Sequence, residues 1–228
     1  MSEAPALRVT GWASRLQRNP SALLLGVQLL GVVLYPWMED TQNGRILFSV
    51  FGLLVLGLAL RVVRSSPAET SVAVVMALLV VILLGINAVS PNPVFVIAIS
   101  AVEAAFYIYA AVALIAYMLA DERATTDEMF AAGATFTLLA WAYAYVFVIC
   151  QALAPGSFSA DASHLRSWMD LLFLSFTILS GVGLGDIMPL TPMARALVML
   201  AEFTGVMYIA LVISRLIGMT MARPRSGS

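Results

Sequence analysis

Residues 175–192 read SFTILSGVGLGDIMPLTP and place three glycines, Gly181, Gly183 and Gly185, at a spacing of two. Because glycine has no Cβ atom, this spacing lets the backbone take positive φ angles that other residues avoid. Alternating conformations of this kind turn successive carbonyl oxygens the same way, and a row of carbonyl oxygens can replace the water shell of a cation. The alternative is a glycine-rich turn between two helices, and the glycines alone do not decide between these interpretations.

The rest of the chain has the composition of a membrane protein. Of the 228 residues, 61% are hydrophobic and 11% are charged, and the mean hydropathy is +0.96. In soluble domains about 45–50% of the residues are apolar and about 25% are charged. This excess excludes an ordinary soluble domain and a disordered chain, and the formal net charge of −1 gives nucleic acid no basic surface to bind. A single cysteine, Cys150, and a single histidine, His164, predict no internal disulfide and no cysteine-rich or multi-histidine metal site.

Six stretches resemble membrane-spanning helices, which need about 20 mostly apolar residues. Their predicted ranges are 21–38, 46–60, 70–89, 93–120, 129–153 and 195–218. A seventh apolar segment, 168–179, is too short to cross and is predicted to be re-entrant. The predicted fold class is therefore all-α transmembrane, with six spanning helices and a re-entrant helix and loop between the fifth and the sixth.

Arginines orient this bundle, because cytoplasmic loops carry an excess of positive charge. If the N-terminus lies in the cytoplasm, nine of the twelve arginines fall on the cytoplasmic side of the membrane. Only Arg45, Arg166 and Arg195 fall on the outer side. We therefore predict a multi-pass protein of the cell inner (plasma) membrane, in contact with lipid and with both termini in the cytoplasm. Residues 1–20 are expected to form a cytoplasmic segment, either an interfacial helix or a loosely ordered tail, and 220–228 a short tail with no fused ligand-binding domain.

The segment 175–186, SFTILSGVGLGD, resembles the pore signature of tetrameric potassium channels, SFTTLTTVGYGD. Pro189, Thr191 and Arg195 continue the resemblance, and Gly205 stands where that family has the hinge glycine of its inner helix. The resemblance implies a homotetramer. It also implies a pore domain over 128–219, made of an outer helix, a pore helix, a filter and an inner helix. Its filter would be lined by the backbone carbonyls of Gly181, Val182, Gly183, Leu184 and Gly185.

Potassium ions at the carbonyls of Gly181, Val182, Gly183 and Leu184 would be the metal ions bound, and no other cofactor is expected. Three residues are predicted to support the filter: Ser180, Thr177 and Phe173. We expect Asp186 at the outer mouth to raise the local concentration of cations, or alternatively to cap or hydrogen-bond the pore helix. The C-terminal end of the pore helix would favour a cation through its dipole.

Two departures from the family concern selectivity. Gly181 replaces a threonine whose hydroxyl gives the family its innermost ion site, and Leu184 replaces a tyrosine that tethers the filter. We expect Leu184 to pack on Phe173 instead. Both changes predict a softer filter, so cation selectivity is predicted more firmly than strict potassium selectivity.

The four-span domain, 21–127, lacks the arginines of a voltage sensor, since its fourth span contains no Arg or Lys. Glu103 in that span and Glu202 in the last are candidates for gating or coupling, because intramembrane carboxylates are often functional. The alternative for Glu103 is a packing residue beside Tyr107, one turn away; Glu202 either braces the filter or lines the pore. His164 is interpreted as a solvated loop residue rather than a pH sensor.

The sequence thus predicts an ion channel that conducts monovalent cations, with potassium favoured, and not an enzyme, because it contains no nucleophile–base pair and no phosphate-binding loop. A weakly selective cation channel and a non-conducting membrane protein that retains the pore fold are the alternatives. A secondary transporter is disfavoured, because only one half of the chain has an interrupted span.

Overall fold

A computed structural model describes residues 19–39, 42–64, 68–120, 125–159 and 165–221, with the backbone alone at 37–39, 42–50, 220 and 221. These residues are helical and include no strand beyond an isolated antiparallel bridge between Phe158 and Pro189. Residues 1–18 of the predicted segment 1–20, residues 222–228 of the predicted tail 220–228, and His164 lie outside the described residues.

The helices follow the apolar stretches of the sequence in order. They are α1 (Pro20–Glu39), α2 (Gln42–Val63), α3 (Thr70–Val89), α4 (Pro93–Met118), α5 (Thr126–Leu153), α6 (Trp168–Leu179) and α7 (Pro192–Met207), which continues through a π-helical segment (Tyr208–Ile213) into α8 (Ser214–Met221). Within the described residues, four helices are long and apolar enough to cross a membrane: α3, α4, α5 and the continuous Pro192–Met219. The first two predicted spans form helices with shorter apolar stretches, Pro20–Pro36 and Phe51–Val63, and remain predictions as spans.

Local sequence signals fix where the helices of the C-terminal half begin. Thr125 and Glu128 form a capping box at the start of α5, in which the Thr125 amide donates to Glu128 Oε2 over 2.6 Å. Ser167 and Asp170 form a second capping box at α6. Thr191 caps α7 through the amide of Ala194. The inner helix therefore starts at Pro192, three residues before the predicted 195.

Both ends of α2 differ from the prediction, because the ends of an apolar run are not the ends of a helix. The second span was predicted over 46–60, between Arg45 and Arg61, whereas α2 covers Gln42–Val63. Arginine is a good helix former and its long stem reaches water from within a helix. A charge therefore ends the hydrophobic stretch without ending the helical backbone.

Helix α5 is at the centre of the packing. It runs antiparallel to α4 in the most extensive helix contact of the described chain, and α1 and α6 pack against it as well. The residues buried at these contacts include Phe106 and Leu114 from α4 and Leu138 and Trp141 from α5. Because lipid tails are as apolar as these side chains, close packing rather than exclusion of water holds such helices together in a membrane. The α4–α5 pair is therefore the best-packed support of the segment that follows.

Candidate functional site

The glycine-rich segment begins as the C-terminal cap of α6. The amide of Gly181 donates to the carbonyl of Ile178 (3.0 Å) and that of Val182 to the carbonyl of Thr177 (3.1 Å). This pair of bonds is a Schellman motif, which requires a left-handed residue after the helix. Gly181 has a φ of +71°, so it ends the helix as the turn interpretation expected, and its place in a filter stays a prediction.

The carbonyl oxygen of Thr177 holds the first part of the loop. It accepts the amides of Val182 and Gly183, each at 3.1 Å, and the hydroxyl of Ser180, also at 3.1 Å. The Thr177 hydroxyl donates to Leu174 O (2.9 Å) within the helix. Thr177 therefore contacts the loop through its carbonyl and Ser180 contacts Thr177, while their roles in supporting a filter stay predictions.

Positive φ angles occur at two of the three glycines. Gly183 has a φ of +64°, like Gly181, whereas Gly185 is not left-handed. The alternation that the glycine spacing suggested therefore extends over 181–183. Since the described non-glycine residues all have negative φ, Val182 and Leu184 take ordinary conformations between the glycines.

The carbonyl oxygens of residues 181–185 receive no hydrogen bond from the described part of the chain. The amides of Val182 and Gly183 point back to Thr177, and every side chain from Ser180 to Asp186 is exposed in the single chain. The segment therefore presents a run of carbonyl acceptors without internal donors. Such a run can accept hydrogen bonds from water or coordinate a cation.

The larger side chains around the loop are also exposed in the single chain. Leu184 is 67% exposed and Phe173 is 48% exposed, so the single chain does not bury them against each other, and packing of Leu184 on Phe173 remains a prediction. The Asp186 carboxylate makes no hydrogen bond to a described residue, and its main-chain oxygen accepts the hydroxyl of Ser159 at 3.1 Å. Its predicted alternative role as a cap of the pore helix is therefore not seen within the described chain.

A short clamp on the far side of the loop was not apparent from the sequence. Ser159 bonds the segment after the filter three times: its hydroxyl binds the Met188 amide (2.8 Å) and Asp186 O, and its amide donates to Met188 O (2.9 Å). The amide of Leu190 donates to Ser157 O (2.8 Å). Residues 157–159 follow α5 directly, so this clamp fixes the outgoing end of the loop to the outer helix.

Gly205 lies where α7 crosses the C-terminal end of α6. A Cβ atom at this position would overlap the carbonyl oxygen of Leu179, so the two backbones meet without a side chain between them. The helix passes through Gly205 without interruption and becomes π-helical at Tyr208, whose hydroxyl donates to Ala132 O (2.6 Å). Sequence resemblance predicts a hinge at Gly205, and the structure adds a steric reason for the missing side chain.

The two predicted gating carboxylates lie in different surroundings. Glu202 is exposed on α7 in the single chain, whereas Glu103 is only 7% exposed between α4 and α5. Tyr145 of α5 lies beside the Glu103 carboxylate. Tyr107, the packing neighbour suggested by the sequence, stacks on Tyr145 at 5.9 Å, and its buried hydroxyl has no partner among the described residues.

The comparisons with known proteins agree with this geometry. A family model described as "Ion channel" matches residues 132–222, which contain most of α5, all of α6, the loop and the inner helix. No curated protein and no solved structure matches the chain. The match covers less than half of the chain and indicates a channel rather than an enzyme. Together with the apolar helices, it supports a multi-pass membrane protein with ion-channel activity.

Proposed function

We propose that four copies of this chain surround one axis and conduct monovalent cations, with potassium favoured, through a filter lined by the carbonyls of residues 181–185. The observation that carries this proposal is the exposed run of carbonyl oxygens that lacks donors within the described chain. Polar backbone at membrane depth is tolerated only where it is buried in protein or lines a water-filled path. Cations on the axis would give these oxygens their partners.

The exposure of the inner helix supports assembly. Over the part of Pro192–Met219 with the highest hydropathy, only 22% of the residues are buried, against 61% for α5. Met199 and Phe203 are among its exposed apolar side chains. In a tetramer the same helix from four subunits would line the cavity below the filter, and other faces would contact neighbouring pore helices.

The domain boundaries of the proposal follow the sequence analysis. Residues 128–219 form the pore domain, and 21–127 form a peripheral domain without voltage-sensor arginines. In this proposal the protein lies in the cell inner (plasma) membrane, and both of its termini are in the cytoplasm. The clamp at Ser159 and the exposed carboxylate of Asp186 then face the outer side, where Asp186 attracts cations to the mouth.

The capping role of Gly181 bears on selectivity. A left-handed Gly181 offers no hydroxyl for an innermost ion site, and an exposed Leu184 offers no tether within the subunit. Both features favour a filter that adapts its size. We therefore expect a weaker preference for potassium over sodium than in channels whose filter has threonine and tyrosine at these two positions. A weakly selective cation channel is the second candidate that these residues favour.

Reconstitution tests this proposal directly. Purified protein in liposomes is expected to pass potassium in a flux assay. In electrical recordings with mixed potassium and sodium, the reversal potential is expected to lie nearer the potassium equilibrium potential than a non-selective cation pore would give. A reversal potential that follows chloride would reject a cation filter. The subunit number, measured by the mass of the lipid-embedded particle, is expected to be four, and a monomer or dimer that conducts cations would overturn the assembly around an axis.

A further inference from the structure

We propose that a cavity in the peripheral helices binds a small organic cation, that is, an ammonium group on an apolar body. The cavity has a volume of about 430 Å³, within the roughly 300–1,000 Å³ of ligand pockets. It lies between α2, α3, α4, α5 and the segment 165–168. Binding there does not require conduction, so the inference goes beyond the proposed channel and stands without it.

The cavity opens at the same end of the bundle as the filter loop. Gln151 and Arg166 line it, and they are bonded to each other through the Gln151 amide and the Arg166 backbone at 2.9 and 3.2 Å. The guanidinium of Arg166 is turned to the carbonyl of Ser159, the residue that clamps the loop after the filter.

The wall of the cavity holds a carboxylate without a cationic partner. Glu103 lines the cavity, and only 7% of its surface is exposed. Tyr145 lines the cavity beside it, and no described Arg side chain forms an ion pair with it. A buried carboxylate without a counter-charge is costly. A bound ammonium group would supply that charge.

Aromatic rings complete the recognition surface around this carboxylate. Tyr145 and Trp168 both line the cavity, and their ring centroids lie 5.8 Å apart. Trp141 lies behind them, edge-on to Trp168 at 5.3 Å. The faces of Trp and Tyr attract cations, and this attraction combines with the carboxylate to favour an ammonium group over a neutral one.

The remaining lining favours an organic cation over a metal ion. Leu84, Val96, Ile99 and Val148 give the cavity apolar walls, which suit a hydrocarbon body. Hard metal ions prefer several oxygen ligands. Within the described part of the chain no group of three or more His, Cys, Asp or Glu side chains is placed to hold a metal.

The test compares two probes of the same shape on the full chain in lipid nanodiscs, 2-phenylethylamine and the neutral 2-phenylethanol. Titration calorimetry is expected to give the amine roughly tenfold tighter binding, since a charge-assisted contact adds to packing that both probes share. Glu103→Gln is expected to abolish this preference. The control variants Glu202→Gln and Asp186→Asn, which remove carboxylates of the pore domain, are expected to keep it.

A second pair of variants tests the cavity without touching Glu103. Ala152 lines the cavity and is exposed, whereas the next residue, Leu153, is exposed but does not line it. Ala152→Trp is expected to weaken amine binding about tenfold by filling the entrance, and Leu153→Trp to leave it unchanged.

Three outcomes would overturn the proposal. Equal affinity for the amine and the alcohol would show a site without charge recognition. Loss of amine binding in Asp186→Asn or Glu202→Gln would place the amine in the pore. Equal effects of the two tryptophan variants would place it outside the cavity, and this comparison decides the question even if Glu103→Gln does not fold.

Discussion

Gly205 of the inner helix lies against the main-chain carbonyl of Leu179, the last residue of α6, with no room for a Cβ atom between them. The inner helix and the base of the filter loop are therefore in direct backbone contact. Any displacement of α7 at this point is transmitted to the residues that cap α6, because Leu179 lies within the Schellman motif, whose bonds run from Gly181 and Val182 back to Ile178 and Thr177.

Gly205→Ala is expected to push α7 away from α6 and to lower both the thermal stability of the purified protein and the cation flux. Overpacking of this kind typically costs about 1–3 kcal/mol. Gly218→Ala is the matched control, since Gly218 lies further along the same helix with open space around it. Equal melting temperatures for the two variants would contradict the close contact.

Gly183→Ala separates backbone conformation from space. Nothing lies within 4 Å of a Cβ atom at Gly183, and the same is true of Gly85 in α3, but only Gly183 has a positive φ. A left-handed alanine costs roughly 1–2 kcal/mol, so we expect Gly183→Ala to reduce cation flux in liposomes severalfold. Gly85→Ala should conduct normally. Normal conduction by both variants would show that the left-handed residue is not needed for the filter.

Substitutions at Gly181 test its role as a helix cap. Asparagine tolerates the left-handed conformation, whereas a β-branched threonine does not. We expect Gly181→Asn to melt close to the wild-type temperature and Gly181→Thr to melt several degrees lower. A stable Gly181→Thr variant with sharper potassium selectivity would instead mean that the loop adopts the conformation of its threonine-containing relatives.

Ser159→Ala removes the hydroxyl that holds Met188 N and Asp186 O. We expect faster hydrogen exchange at the Met188 amide, because it loses its hydroxyl acceptor. The exposed Ser90 has no described role at the loop, so Ser90→Ala serves as the control. Unchanged exchange at Met188 in the Ser159 variant would mean that the clamp does not hold in solution.

Tyr208→Phe tests the anchor of the π-helical segment. It deletes the hydrogen bond to Ala132 O, and Tyr109→Phe deletes a comparable bond to Glu69 O. Each change is expected to cost about 0.5–1.5 kcal/mol of stability. Single-channel recording should show altered open probability only for Tyr208→Phe, since of these two bonds only that of Tyr208 joins α5 to the helix that follows the glycine-rich loop. An equal change in both variants would remove the specific role of the π segment.

Hydropathy predicted most of the helices, because apolar runs act locally. The capping residues Ser167 and Thr191, which fix where two of the helices begin, were not used in that prediction. The contacts that shape the loop were not predictable in the same way. Glycine spacing does not reveal which glycine is left-handed, so the capping role of Gly181 and the ordinary φ of Gly185 emerged only from the structure.

Non-local partners were missed for a related reason. Tyr107 lies one helical turn from Glu103 and was the expected neighbour. Tyr145 on another helix also lies beside Glu103, and the sequence did not indicate it. The contact of Gly205 with Leu179 and the bonds of Ser159 to Met188 likewise join residues far apart in sequence. Periodicity indicates the buried face of a helix, and it carries no information about the side chain that faces it.

The extensive packing of α4 on α5 has a mechanical consequence. Only a short connection, 119–125, separates these helices, and they share a buried face along their length. In the proposed tetramer, the peripheral helices of each subunit would therefore pack side by side on α5 of the same subunit. A signal arriving at the periphery would have to travel sideways, as a tilt or slide of one helix against the other, rather than as a pull on a linker.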